Sequence, residues 1–101
     1  MPIMTDREQE ILDETVDVIK RYLKPKRIWL FGSRAQGKAS PTSDFDFAVE
    51  TEEKDQRIRR KVKGFADVVS GLYKIDIVYF DDVEKEFSNL ILKTGRVVYE
   101  Q

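Results

Sequence analysis

Three aspartates and a glycine–serine pair are the residues of this chain best placed to do chemistry together. Between Asp44 and Val49 the residues alternate, with Asp44, Asp46 and Ala48 on one side and Phe45, Phe47 and Val49 on the other. In an extended strand, side chains at i and i+2 leave the same face, about 6–7 Å apart. Two carboxylates so placed can hold a common metal ion or a metal pair. Pairs spaced about 3.5–4 Å apart clamp the attacking and leaving oxygens of an in-line displacement at phosphorus. Asp76, flanked by Ile75 and Ile77, is the natural third ligand, because a lone carboxylate in an apolar strand is costly without a partner. Gly32-Ser33 follows the apolar run Ile28-Trp29-Leu30-Phe31. A glycine at a strand end lets phosphate oxygens approach the backbone, and the serine hydroxyl adds a donor. Arg34 and Lys38 add positive charge that either meets a triphosphate or stays solvated.

Composition narrows the chemistry further. The 101 residues include no cysteine and no histidine. That excludes a disulfide framework, thiolate sites, the usual zinc sites and the usual general base. Carboxylates are left as the metal ligands, and oxygen-only ligation favours Mg²⁺, Mn²⁺ or Ca²⁺. Eighteen basic against nineteen acidic residues give a net charge of −1, which argues against direct nucleic-acid binding. No apolar run reaches the ~18 residues of a membrane span, and the polar N-terminus is unlike a signal peptide. A cytoplasmic location is expected.

The elements that must position these residues read as one α/β (α+β) domain over 1–101, a small mixed sheet of about four strands with helices mainly on one face. Thr5 and Glu8 have the form of a capping box, and Leu12, Val16, Ile19 and Leu23 follow at helical spacing until Pro25. The run Ile28 to Phe31 suits a central strand buried on both faces, with Trp29 in the core. The polar stretch Arg34 to Ser43 is a turn and loop. A second helix is expected from about Lys54 to Tyr73, with Ile58, Val62, Phe65, Val69 and Leu72 facing the core. Its basic run, Arg57 to Lys63, reads as a solvated face rather than a nucleic-acid patch. Ile75 to Phe80 is a third strand. Asp81 or Asp82 would cap a short helix carrying Phe87, Leu90 and Ile91, Gly95 would stop it, and Val97 to Tyr99 would form an edge strand.

Gly32-Ser33, ten intervening residues and Asp44-x-Asp46, with Arg34, Gly37, Ser43 and the later Ile75-Asp76-Ile77-Val78, resemble the signature of the DNA polymerase β-like nucleotidyltransferase superfamily. The fuller pattern is similar to its small stand-alone members, the minimal nucleotidyltransferases. Gln36 departs from it where the family often carries arginine. The resemblance implies that Gly32 and Ser33 hold a nucleoside triphosphate, with Arg34 and Ser43 as further nucleotide contacts. It implies that Asp44, Asp46 and Asp76 bind Mg²⁺ or Mn²⁺ and carry catalysis. Such proteins resemble antitoxins paired with a HEPN-domain toxin, some of which transfer AMP from ATP to a toxin tyrosine. The expected partners are therefore a HEPN-type toxin and ATP, in a homo- or hetero-oligomer. Two alternatives stand beside this: a non-catalytic module that inhibits its partner by occlusion, and a transferase acting on a small molecule such as an aminoglycoside. All three carboxylates are retained, which weighs catalysis over occlusion. The chain lacks the length for an added substrate domain, which favours an acceptor carried by a partner protein.

Overall fold

The computed structural model of the protein describes residues 4–37, 40 and 43–101. Helix α1 (Asp6–Leu23) opens on the expected capping box: the Thr5 hydroxyl accepts from the Glu8 amide while the Glu8 carboxylate accepts from the Thr5 amide. Lys24, in the left-handed region at φ 45°, closes it. Strand β1 (Arg27–Phe31) follows, then one 3₁₀ turn (Gly32–Arg34), β2 (Phe45–Glu50), α2 (Gln56–Ser70), β3 (Ile75–Tyr79), α3 (Lys85–Thr94) and β4 (Arg96–Glu100). None of the described helices is long and apolar enough to cross a membrane.

The sheet runs β3-β2-β1-β4. β1 pairs antiparallel with β2 and β4, and β2 pairs parallel with β3, so the sheet is mixed. The two central strands bury both faces, as the apolar run of β1 requires. On one face Ile28, Leu30, Phe45, Phe47, Val49 and Ile75 pack against Ile11, Leu12, Ile19 and Leu23 of α1 and Val62 and Ala66 of α2. On the other face Trp29 and Ala48 are covered by Ile91 of α3. Asp46 shares this second face with Ala48 by strand alternation.

Three expectations change in detail. The buried stripe of α2 is Arg59, Val62, Ala66 and Ser70, not the line of large apolar residues. Leu72 lies past the end of the helix, which stops at Ser70 and not at Tyr73, and is fully exposed; Phe65, on the helix, is 40% exposed. The cause is Arg59, which the basic run had placed in solvent. Its guanidinium donates to the Glu53 carbonyl at 2.6 and 3.0 Å and to Asp81 and Asp82 at 3.1 Å, and it lies 3.8 Å from the centre of the Tyr79 ring. With its charge paired, its stem is buried and fixes the rotation of the helix. Phe65 turns to the rim, stacked on Tyr22 at 5.4 Å. Asp81 and Asp82 are thereby drawn away from capping. The N-cap of α3 is Glu84, without a side-chain cap bond. The third change is in α1, where Ile11 and Thr15 join the buried stripe while Val16 is partly buried against it.

Candidate functional site

The β2–β3 pairing brings the three aspartates together. Parallel register sets Asp46 opposite Asp76, and adjacent strands lie about 4.8 Å apart. Asp44 immediately precedes β2 on the same side. One carboxylate oxygen from each of the three lies within 4.8 Å of the other two, and all three residues are half-buried. Burial, reinforced by the charges of Asp76 and Asp44, holds the Asp46 carboxyl above the usual carboxylate range. Lys74 opposes this, its Nζ 4.0 Å from Asp76 Oδ2, but a 67% exposed lysine side chain is a weak counter-charge. Three converging oxygen ligands with little neutralisation suit a hard divalent cation. The residues fit the metal that the signature implies.

The β1–β2 pairing supplies the other half. Phe31 lies opposite Asp46, so the residue after β1 meets that carboxylate. Gly32 has φ +74°, and a Cβ there would stand 2.6 Å from Asp46 Oδ2. A side chain there would be strained at this φ and would push the Asp46 carboxylate aside, and without one the backbone is bare beside the carboxylates. The Gly32 carbonyl accepts from the Ala35 and Gln36 amides at 3.2 and 3.3 Å, closing the 3₁₀ turn. Ser33 is partly exposed in that turn.

Arg34 and Ser43 have other commitments than the nucleotide contact expected of them. Arg34 is 3% exposed. Its Nη1 donates to Glu8, its Nε and Nη2 donate to the Ser43 carbonyl at 3.2 and 2.9 Å, and its guanidinium sits 4.1 Å from the centre of the Phe45 ring. The Ser43 hydroxyl accepts from the Ser40 amide at 2.9 Å. Together they tie the residue before Asp44 to the start of α1. Lys38 lies outside the described residues. Glu8, legible in the sequence only as a cap, is the anchor of this tie. Its pKa is lowered to about 2, chiefly by the Thr5 amide and then by Arg34. Lys74 was also missed; adjacency to the aspartate strand was its only signal. A cavity of about 590 Å³ at the opposite end of the strands, lined by Tyr22, Lys24, Lys26 and Thr51 among others, includes none of these groups.

Comparison with known proteins bears on this geometry. The chain is 33% identical over 86 residues to the protein adenylyltransferase MntA of Aphanizomenon flos-aquae, a match covering 75% of this chain and 57% of the relative. It therefore spans little more than half the length of that relative. In fold it is similar to a crystal structure of a toxin–antitoxin with AMP-PNP, with TM-score 0.77 and 20% identity over 88% of this chain and 73% of that one. It is also similar to a chain of the complex of a tri-AMPylated Shewanella oneidensis HEPN toxin with an MNT antitoxin, with TM-score 0.72 and 17% identity over 92% and 72%. The family described as "Polymerase beta, Nucleotidyltransferase" matches residues 13–101, and to that family, on a match running from the middle of α1 through the three aspartates to the last residue, this chain belongs.

Proposed function

We propose that this chain is a metal-dependent adenylyltransferase that moves AMP from ATP to a tyrosine hydroxyl of a HEPN-type toxin and acts as its antitoxin. The observation that carries the reading is the meeting of Asp44, Asp46 and Asp76 beside the bare backbone of Gly32. The names of the similar proteins, an adenylyltransferase and toxin–antitoxin complexes, supply the nucleotide and the partner class.

In this reading Asp44, Asp46 and Asp76 hold Mg²⁺ or Mn²⁺, which when bound neutralises triphosphate charge and stabilises the attacking and leaving oxygens. Gly32 admits the phosphate chain to the backbone, and the Ser33 hydroxyl donates to a phosphate oxygen. The acceptor oxygen forms a bond to the α-phosphorus, the bond from that phosphorus to the α–β bridging oxygen breaks, and pyrophosphate leaves. The acceptor proton passes to Asp76, whose side chain is 43% exposed and so open to the incoming hydroxyl. Arg34, with Glu8, does not touch the nucleotide; it positions Asp44 through the Ser43 carbonyl.

The test is incubation with labelled ATP and Mg²⁺, with and without the product of the neighbouring gene, for wild type and Asp44→Asn/Asp46→Asn. Label on the partner with wild type alone is the expected result. A tight complex in which the partner's mass never changes overturns the transferase reading in favour of inhibition by occlusion.

A further inference from the structure

The outer surface of α2, turned away from the sheet, has a composition that the site does not explain. Phe65 and Val68, at i and i+3 on α2, and Leu72, two residues past its end, are 40%, 80% and 104% exposed. Phe65 and Val68 adjoin on one face of the helix as an apolar ridge, and Leu72 follows in the turn that Gly71 opens after Ser70. Toward the start of the helix the same face carries exposed Arg57, Arg60 and Lys61. The other cations of α2 are engaged: Arg59 is buried against Asp81 and Asp82, and Lys63 bonds Asp67 at 2.5 Å. Arg57 has Asp55 no nearer than 3.6 Å, and among the described residues no carboxylate pairs with Arg60 or Lys61. Between the basic and apolar halves lies Gly64, where an added Cβ would meet nothing within 4 Å. Internal packing does not ask for a glycine there, and only proline is a poorer helix former. An exposed glycine in mid-helix is of use where another backbone must come close.

We infer that this face of α2 docks an acidic, amphipathic helix of the partner protein. The partner's apolar residues pack on Phe65, Val68 and Leu72 across Gly64, and its carboxylates meet Arg57, Arg60 and Lys61. The inference rests on the proposed reading that a protein carries the acceptor. Charge selects the occupant. A second copy in two-fold contact would set these cations against their own copies or against the apolar ridge. Nucleic acid would find three exposed cations on a chain of net charge −1, too little for phosphate-driven binding. Position agrees: these apolar side chains end at Leu72, four residues before Asp76, so a helix lying along α2 leads toward the end of the sheet that bears the carboxylates.

The experiment is calorimetric titration of the partner that the proposed function names, a HEPN-type toxin, with the full chain as wild type, Val68→Asp, Arg60→Glu/Lys61→Glu and Asp44→Asn/Asp46→Asn, each also assayed with labelled ATP. Val68→Asp is expected to keep its thermal midpoint, since the side chain is exposed, and to bind about 30-fold more weakly. Arg60→Glu/Lys61→Glu binds about 10-fold more weakly, and wild-type affinity falls as salt rises from about 50 to 300 mM. The aspartate variant binds as wild type and transfers nothing. Wild-type binding by Val68→Asp overturns the docking face while leaving the transferase reading intact if label still passes. A wild-type dimer that Val68→Asp dissociates without loss of toxin affinity assigns the face to a second copy and overturns it as well. A wild-type chain that neither binds nor labels the toxin overturns both.

Discussion

At the residue scale, the carboxylate trio combines like-charge repulsion with a ready site for a cation. Asp76→Asn removes one of the charges that raise the Asp46 carboxyl. Transfer should fall by about 100-fold or more, while circular dichroism stays native and the thermal midpoint does not drop; turnover at wild-type rate would remove Asp76 from the site. Gly32→Ala should be at least as damaging to activity, because the methyl would sit 2.6 Å from Asp46 Oδ2 on a backbone at φ +74°. Its measurable mark is loss of ATP binding in calorimetry. Glu8 gives a pH signature. Its folded pKa of about 2 lies below the ordinary 4.5, so its contribution is fully present above about pH 4.5 and is lost as pH falls through about 2. Wild type should exceed Glu8→Gln by about 2–3 kcal/mol at neutral pH, and urea midpoints should show the gap closing between those two pH values.

At the element scale, α1 and α2 are each fixed by one buried arginine near an end as well as by an apolar stripe, whereas α3 is held by Ile91 without one. Arg34 links the start of α1 to the strand of Asp44 and Asp46. Arg59 links α2 to the segment after β3. Both guanidiniums lie over aromatic rings, Phe45 and Tyr79, where planar, weakly hydrated arginine is favoured over lysine. Removing Arg59 leaves Asp81, 25% exposed, and the Glu53 carbonyl without their donor, while Asp82, 58% exposed, is largely rehydrated. Arg59→Ala should therefore cost about 2–3 kcal/mol, less than a fully buried pair, and Arg59→Lys should recover only part of it. Chemical denaturation of the three proteins measures this directly.

At the scale of the whole molecule, a cation that binds the folded chain must stabilise it by mass action. Mg²⁺ or Mn²⁺ at about 100 times its dissociation constant should add about 2.7 kcal/mol, or a rise of several degrees in midpoint for a domain of this size. The Asp44→Asn/Asp46→Asn variant should show no rise. Calorimetry without ATP or partner separates metal binding from catalysis. An equal shift in both proteins would place the cation elsewhere.

The sequence by itself determined the elements and the candidate metal ligands. Periodicity placed three helices and four strands, alternation put Asp44 and Asp46 on one face, and the spacing from Gly32-Ser33 to Asp44-x-Asp46 carried the family resemblance. These are local properties, set within a few residues by side-chain period and turn chemistry. Tertiary structure alone decided which strands are neighbours, and so that Asp46 stands beside Asp76 and Phe31. It also decided that Arg34 and Arg59 are buried while Phe65 and Leu72 are not. Burial of a charge depends on partners distant in the chain, Glu8 for Arg34 and Asp81 with Asp82 for Arg59, and no local period encodes a pairing across more than twenty residues.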